Sequence, residues 1–256
     1  MIVSFGKKDM SIISRKQKRV NVVSKALRLI SVALIVVLSI LCVSSCGSDK
    51  RSEDIYILFT NDVHCAADTN IGYAGLSAYK QSIEAKSKYV TLVDVGDAVQ
   101  GDYVGTVSKG AFSVELMNAV GYDLAVLGNH EFDYGMEQLS SLISSSNASY
   151  LGCNITYSGS GNGIVSQLKP YEIISYGKVD VAFIGVSTPE SITDSTPSNF
   201  MENGEFVYDF ATGENGQKLY DTVQRNIDEC KDKGKESEMI LRAGTPMRVI
   251  SSEALN

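Results

Sequence analysis

The sequence predicts an α/β layered fold with mostly parallel strands, and three observations carry that expectation. From residue 55 onward, apolar runs of strand length alternate with stretches of helical periodicity. The connections are short, as repeated strand–helix–strand units require. Three of the apolar runs end in clusters of acidic, amide and His residues, and in open α/β sheets ligands collect at the carboxyl ends of the strands.

The elements are expected in the following order. Ile55 to Thr60 is a first strand. Tyr73, Leu76, Tyr79 and Ile83 then fall at helical spacing, which predicts a helix over 72–88. A strand over 89–95 is followed by a helix over 111–120, which Gly121 ends. A strand over 123–128, a helix near 135–145 and a fourth strand from Tyr150 to Ile155 come next. Residues 156–170 are rich in Ser, Gly and Asn and predict a loop. Tyr171–Tyr176 and Val179–Val186 predict a hairpin that turns at Gly177-Lys178. Thr188 to Thr212 has no strong period and is expected to be a loop, and Glu214 to Lys233 a helix with Leu219, Val223 and Ile227 on one face. Met239-Ile240-Leu241 is strand-like, Arg242 to Val249 continues neither strand nor helix, and Ser251 to Leu255 is helix-like.

A chain of 256 residues can bury one sizeable core. The net charge of −7 conceals an asymmetry: residues 1–28 carry eight basic residues and one acid, whereas from Cys46 onward there are fifteen basic and twenty-nine acidic residues. An acidic body lacks the clustered cations that phosphate backbones need, so nucleic-acid polymers are not expected as partners. The basic N-terminal region precedes an apolar stretch, Leu29 to Leu41, and then Val43-Ser44-Ser45-Cys46-Gly47-Ser48. That order reads as an export signal. The small residues before Cys46 resemble the lipobox of bacterial lipoproteins, and the resemblance implies that Cys46 is lipidated and anchors the chain at the outer face of a bacterial membrane. An uncleaved anchor helix is the alternative. Residues 1–46 are thus assigned to the signal, 47–54 to a polar tether and 55–256 to the globular part. Cys65, Cys153 and Cys230 show no CxxC spacing, and Cys65 is expected to be a small buried filler rather than a metal ligand.

The chemistry lies in the three clusters: Asn61-Asp62-Val63-His64, Gly96-Asp97-Ala98-Val99-Gln100-Gly101 and Gly128-Asn129-His130-Glu131-Phe132-Asp133. Asp62 and His64 alternate sides on an extended strand, but at a strand end the chain curls and both can reach one ion. The Asp97 carboxylate can bridge two cations, and Asn129 offers a neutral carbonyl oxygen. Mixed oxygen and nitrogen donors suit Zn, Mn or Fe better than Ca or Mg. Two such ions would clamp the entering and leaving oxygens of a phosphoryl displacement. His130 directly follows a ligand and is expected to face substrate, with Asp133 orienting its ring for proton donation to a leaving oxygen.

The order and spacing of these motifs resemble the 5′-nucleotidase branch of the calcineurin-like metallophosphoesterases over roughly residues 55–190. The resemblance implies a four-layer fold, a β-sandwich flanked by helices, that binds two divalent ions. It implies Asp62 and His64 on one ion, Asp97 bridging, Asn129 on the other, and a His130–Asp133 pair at the scissile phosphate. Implied substrates are nucleoside 5′-phosphates, UDP-sugars or 2′,3′-cyclic nucleotides. The family pattern also carries further His ligands downstream and a C-terminal domain that sandwiches the base. This sequence has only His64 and His130, so the domain is expected to be incomplete at its C-terminus, through truncation or a slipped frame, with an impaired second metal site. The alternative is a non-catalytic remnant that binds at most one ion weakly.

Overall fold

A computed structural model describes residues 51–233, 237–242 and 248–251, together with Ile30 and Ser31. Cys46 and nearly all of the expected export signal lie outside the described residues. Among the described residues no helix is long and apolar enough to cross a membrane. The chain divides into two compact units, Met1–Lys50 and Arg51–Asn256, and the architecture below is that of the second.

Its first half runs β1 (Ser52–Thr60), α1 (Gly72–Glu84), β2 (Ser87–Asp94), α2 (Tyr103–Ser108), α3 (Ala111–Val120), β3 (Leu124–Val126), α4 (Met136–Ser145) and β4 (Ser149–Leu151). The four strands form one sheet in the order β1-β2-β3-β4, and every pairing is parallel. Gly121 ends α3 in the left-handed region at φ 82°, with its N–H on the Met117 carbonyl, as the sequence predicts. β1 begins at Ser52, so the last three residues of the expected tether belong to a strand. The unforeseen α2 is capped by the Asp102 carboxylate, which accepts the Tyr103 N–H at 2.6 Å.

The second half contains β5 (Thr156–Tyr157), β6 (Tyr171–Tyr176), β7 (Val179–Val186), α5 (Ser191–Asp194), β8 (Met201–Glu202), β9 (Glu205–Phe206), β10 (Tyr208–Asp209), α6 (Gln217–Asp232), β11 (Ser237–Arg242) and β12 (Arg248–Ser251). β6 and β7 are the expected hairpin. They join a second sheet of order β12-β11-β7-β6. It is mixed: β11 pairs parallel with β7 and antiparallel with β12. β12 corrects the expectation for residues 242–255, since Arg248 and Val249 are in a strand and so is Ser251.

Strand alternation sorts the apolar residues into two cores. Val93, Leu124 and Val126 face the second sheet and pack with Val181, Phe183, Met239 and Leu241. Leu92, Ala125 and Leu127 face the other way, onto Leu76 of α1, Val114 and Met117 of α3, and Leu139 of α4. Each fully buried Leu, Val or Phe contributes about 1.5–3 kcal/mol. On β7, Ala182 and Ile184 point opposite to Phe183 and are also buried, and α6 packs on that strand. Helices, parallel sheet, mixed sheet and α6 give the expected four layers. Among the described residues Cys65, Cys153 and Cys230 form no disulfide, and Cys65 and Cys230 are buried.

Candidate metal centre

β1, β2 and β3 are adjacent and parallel, so the loops after them lie side by side at one sheet edge. Main-chain pairing of β1 with β2 continues past the strand ends. Val95 N–H donates to Thr60 O at 2.9 Å, Asp62 N–H to Gly96 O at 3.1 Å, His64 N–H to Asp97 O at 2.9 Å and Cys65 N–H to Ala98 O at 3.1 Å. The curl expected at the strand end is present: Asp62, His64 and Asp97 all take the left-handed conformation, with φ of 53°, 48° and 60°. Such a conformation costs a non-glycine residue on the order of 1–3 kcal/mol, and it clusters at functional sites.

The result is a compact donor set. One ligand atom each from Asp62, His64 and Asp97 lie within 4.8 Å of one another. His64 Nδ1 lies 3.0 Å from the Gln100 carbonyl. A carbonyl only accepts, so Nδ1 carries the proton and the Nε2 lone pair is free for a cation. Burial raises the Asp97 carboxyl, and the nearby Asp62 adds to the rise against the opposing pull of His130. Two carboxylates and an imidazole lone pair gathered this closely fit a divalent cation, which would relieve the repulsion between the acids. Cys65 stays outside the set. Its thiol donates to Ala98 O at 3.3 Å, and burial pushes its pKa up to about 11.

The third loop closes over Asp97. His130 N–H donates to Asp97 Oδ1 at 2.9 Å. A Cβ on Gly128 would fall 2.3 Å from that same oxygen, so only glycine permits the approach. Asn129 sits between these two residues, and its Nδ2 donates to the Asp194 carbonyl at 3.3 Å. His130 opens a 3-10 turn, His130–Phe132. Its Nδ1 lies 2.7 Å from Asp133 Oδ2, and its ring meets the His64 ring edge-on at 5.0 Å. Burial alone would lower the His130 imidazolium, but the Asp133 hydrogen bond and the charges of Asp133, Asp97 and Glu131 outweigh it and leave the group raised.

Two features escaped the sequence reading. Glu131 is 2 % exposed. Its carboxylate accepts Asp97 N–H at 2.8 Å, Ala98 N–H at 2.8 Å and Gly128 N–H at 2.6 Å. It thereby locks the second and third loops together. Burial pushes its carboxyl up, Asp97 adds to the rise, and the three donors pull it down. The second feature is the segment after β7: the Ser195 hydroxyl donates to Asp133 Oδ1 at 2.7 Å, and Asn199 Nδ2 to the Phe132 carbonyl at 2.8 Å. The sole signal for Glu131 was its place inside the third motif; Ser195 and Asn199 carried none.

Residues 55–232 match the calcineurin-like phosphoesterase family. The chain belongs to that family. Among its relatives, the snake venom 5′-nucleotidase of Gloydius brevicauda is 35% identical over 166 residues, which are 59% of this chain and 28% of that protein. The 5′-nucleotidase of Bos taurus is 34% identical over 163 residues, 57% of this chain and 28% of its own. The chain thus spans less than a third of the length of these relatives. In fold it is similar to a 5′-nucleotidase precursor from Thermus thermophilus, with a TM-score of 0.60 at 22% identity over 73% of this chain and 36% of that one. The calcineurin-like phosphoesterase YfkN from Bacillus subtilis superposes with a TM-score of 0.57 at 22% identity, over 75% and 64% of the two chains. The family uses divalent metals, and Asp62, His64 and Asp97 are the candidate group for them in this member.

Proposed function

We propose that this phosphoesterase hydrolyses small phosphate esters of the nucleotide class, such as nucleoside 5′-phosphates, UDP-sugars or 2′,3′-cyclic nucleotides. The observation that carries the reading is the convergence of Asp62, His64 and Asp97 within 4.8 Å, beside a His130 ring tied to Asp133. Asp62, His64 and Asp97 would hold one ion, and Asp97 with Asn129 a second, more weakly held one. Zn or Mn suits the donors. When bound, the ions supply Lewis-acid charge to the phosphoryl oxygens and acidify a water. His130 is partly exposed and faces the same space as the ligands. As an imidazolium braced by Asp133, it donates a proton from Nε2 to the departing ester oxygen. The Asp133 hydrogen bond favours the charged ring and keeps that proton available.

Equilibrium dialysis of the full chain against Mn or Zn, followed by turnover of p-nitrophenyl phosphate and a nucleoside 5′-phosphate, tests this. His130→Ala is expected to cost about 10²–10⁴-fold in turnover and to leave metal uptake intact, while Asp97→Ala abolishes uptake. Metal-independent turnover, or uptake unaffected by Asp97→Ala, would sink the reading. Uptake of at most one weakly held ion, without turnover, would favour the remnant reading.

We further propose that the chain works outside the cytoplasm, anchored through lipid on Cys46. The basic, apolar and small-residue order of residues 7–48 supports this. Expression in a bacterium with labelled fatty acid should label the wild type and leave Cys46→Ala unlabelled; equal labelling of both excludes the anchor.

A further inference from the structure

We propose that the segment Asp194–Phe200 is a positioning strap that fixes the orientation of the Asn129 amide and the Asp133 carboxylate. The proposal rests on the phosphoesterase reading and names the residues that hold its proton donor in register. The strap is seated by packing. Phe200 is fully buried, and its ring centroid lies 5.1 Å from that of Phe132, directly beneath the third loop. Asn199 adds its amide hydrogen bond to the Phe132 carbonyl at 2.8 Å. Upstream, Asp194 N–H bonds to Glu190 O at 2.8 Å and Ser195 N–H to Ser191 O at 3.1 Å. The short turn therefore holds its own shape.

From this seat two contacts reach the site. The Asp194 carbonyl accepts from Asn129 Nδ2. That commits the amide nitrogen to the strap and turns Oδ1, the end a cation needs, to the opposite side. The Ser195 hydroxyl occupies Asp133 Oδ1 at 2.7 Å and leaves Oδ2 to His130 Nδ1, also at 2.7 Å. A carboxylate with one partner turns freely about its terminal bond, whereas one held at both oxygens presents a fixed acceptor. The imidazole is then kept with its proton on Nδ1 when neutral, and Nε2 is the nitrogen left facing substrate. Ser195 is thus a positioning residue that acts through Asp133.

The test uses the metal-free full chain with ¹⁵N-labelled histidine. Two histidines are present, so ring spectra contain two sets of signals, and His130→Asn assigns them. With the rings neutral, the wild type is expected to show His130 protonated on Nδ1. Ser195→Ala should shift a measurable fraction of the proton to Nε2, and Ser195→Thr, which retains the hydroxyl, should restore the wild-type pattern. His64, tied to Gln100, should not change in either variant and so reports that the fold is intact. Should Ser195→Ala disturb the His64 signals, Ser195→Cys keeps the volume with a weaker donor and should give an intermediate His130 shift. Unchanged His130 tautomers in the variants that keep the His64 signals overturn the strap. In the turnover assay, Ser195→Ala should lower kcat about tenfold, the usual cost of losing such an outer partner, with KM unchanged; a raised KM at constant kcat would count against it. Failure of the phosphoesterase reading is seen separately, as absent metal uptake by the wild type.

Discussion

The two sides of the site are built in opposite ways. Asp62, His64 and Asp97 stand on main chain in the left-handed region, and neighbouring strands zip that main chain together residue by residue. Asn129, His130 and Asp133 stand on ordinary right-handed backbone. The Asn129 and Asp133 side chains take their orientation from residues 65 and 62 positions away in sequence, and the His130 ring takes its own from Asp133. The first side places its candidate ligands chiefly by backbone geometry. The second places Asn129 and the proposed His130–Asp133 pair by side-chain hydrogen bonds to a separate segment, so it can be detuned without disturbing the first.

The largest expected effect comes from Glu131, whose carboxylate ties the two sides together through the N–H groups of Asp97, Ala98 and Gly128. Glu131→Gln keeps the shape of the side chain but replaces an acceptor oxygen with an amide group that itself donates, opposite buried N–H groups of Asp97, Ala98 or Gly128. Leaving such donors unsatisfied costs about 1–3 kcal/mol each, so a loss of roughly 2–4 kcal/mol is expected by chemical denaturation. Because Asp97 moves with its loop, metal affinity should fall by an order of magnitude or more. A stability loss below about 0.5 kcal/mol, the level of an ordinary surface substitution, would mean that the carboxyl is protonated and that Gln mimics it.

The same contrast explains what could be read beforehand. The three polar clusters were legible because they punctuate apolar runs in one order; an Asp-x-His or a Gly-Asp alone is common, and the ordered set of three carries the signal. The helix ended by Gly121 and the hairpin at Gly177-Lys178 were legible for similar local reasons, periodicity and turn chemistry. The strap was not. Asp194, Ser195 and Asn199 act through single long-range hydrogen bonds, and a Ser or Asn in an aperiodic stretch reads as loop whatever it touches. Glu131 looks like a solvated acid in a polar turn until loops 33 and 34 residues away close over it. α2 was invisible because Tyr103, Val104 and Val107 are exposed and trace no buried stripe. β12 was missed because four residues that pair only with β11 leave too short a pattern to detect.

A smaller effect separates the two sides by pH. Asp94 lies beneath the zippered side: it accepts from Thr60 Oγ1 at 2.9 Å, which in turn accepts from Tyr122, and from Gly96 N–H at 3.1 Å. Gly96 is the residue whose carbonyl holds Asp62. Burial lifts the Asp94 carboxyl well above its ordinary value of 3.8; the charge of Glu131 and, less, that of Asp97 add to the rise, and Thr60 and Gly96 oppose it. Between that ordinary value and the raised one, the folded protein binds more protons at this group than the unfolded chain does. Stability contributed by Asp94 is therefore fully present below the ordinary carboxylate range and is lost as pH rises through the folded value, with a slope of at most about 1.4 kcal/mol per pH unit. Asp94→Asn keeps the acceptor for Thr60, gives up the one for Gly96 at about 1 kcal/mol, and removes the slope. Melting temperatures of variant and wild type should consequently converge, and can cross, as pH rises from 4 toward neutrality. A constant gap across that range would show that Asp94 titrates alike in both states, and that the zippered side owes nothing to a buried neutral acid. Glu131 is buried to the same degree, but it accepts from Asp97, Ala98 and Gly128 rather than from the strap, so Ser195→Ala should leave the pH dependence contributed by the buried acids as it is in the wild type.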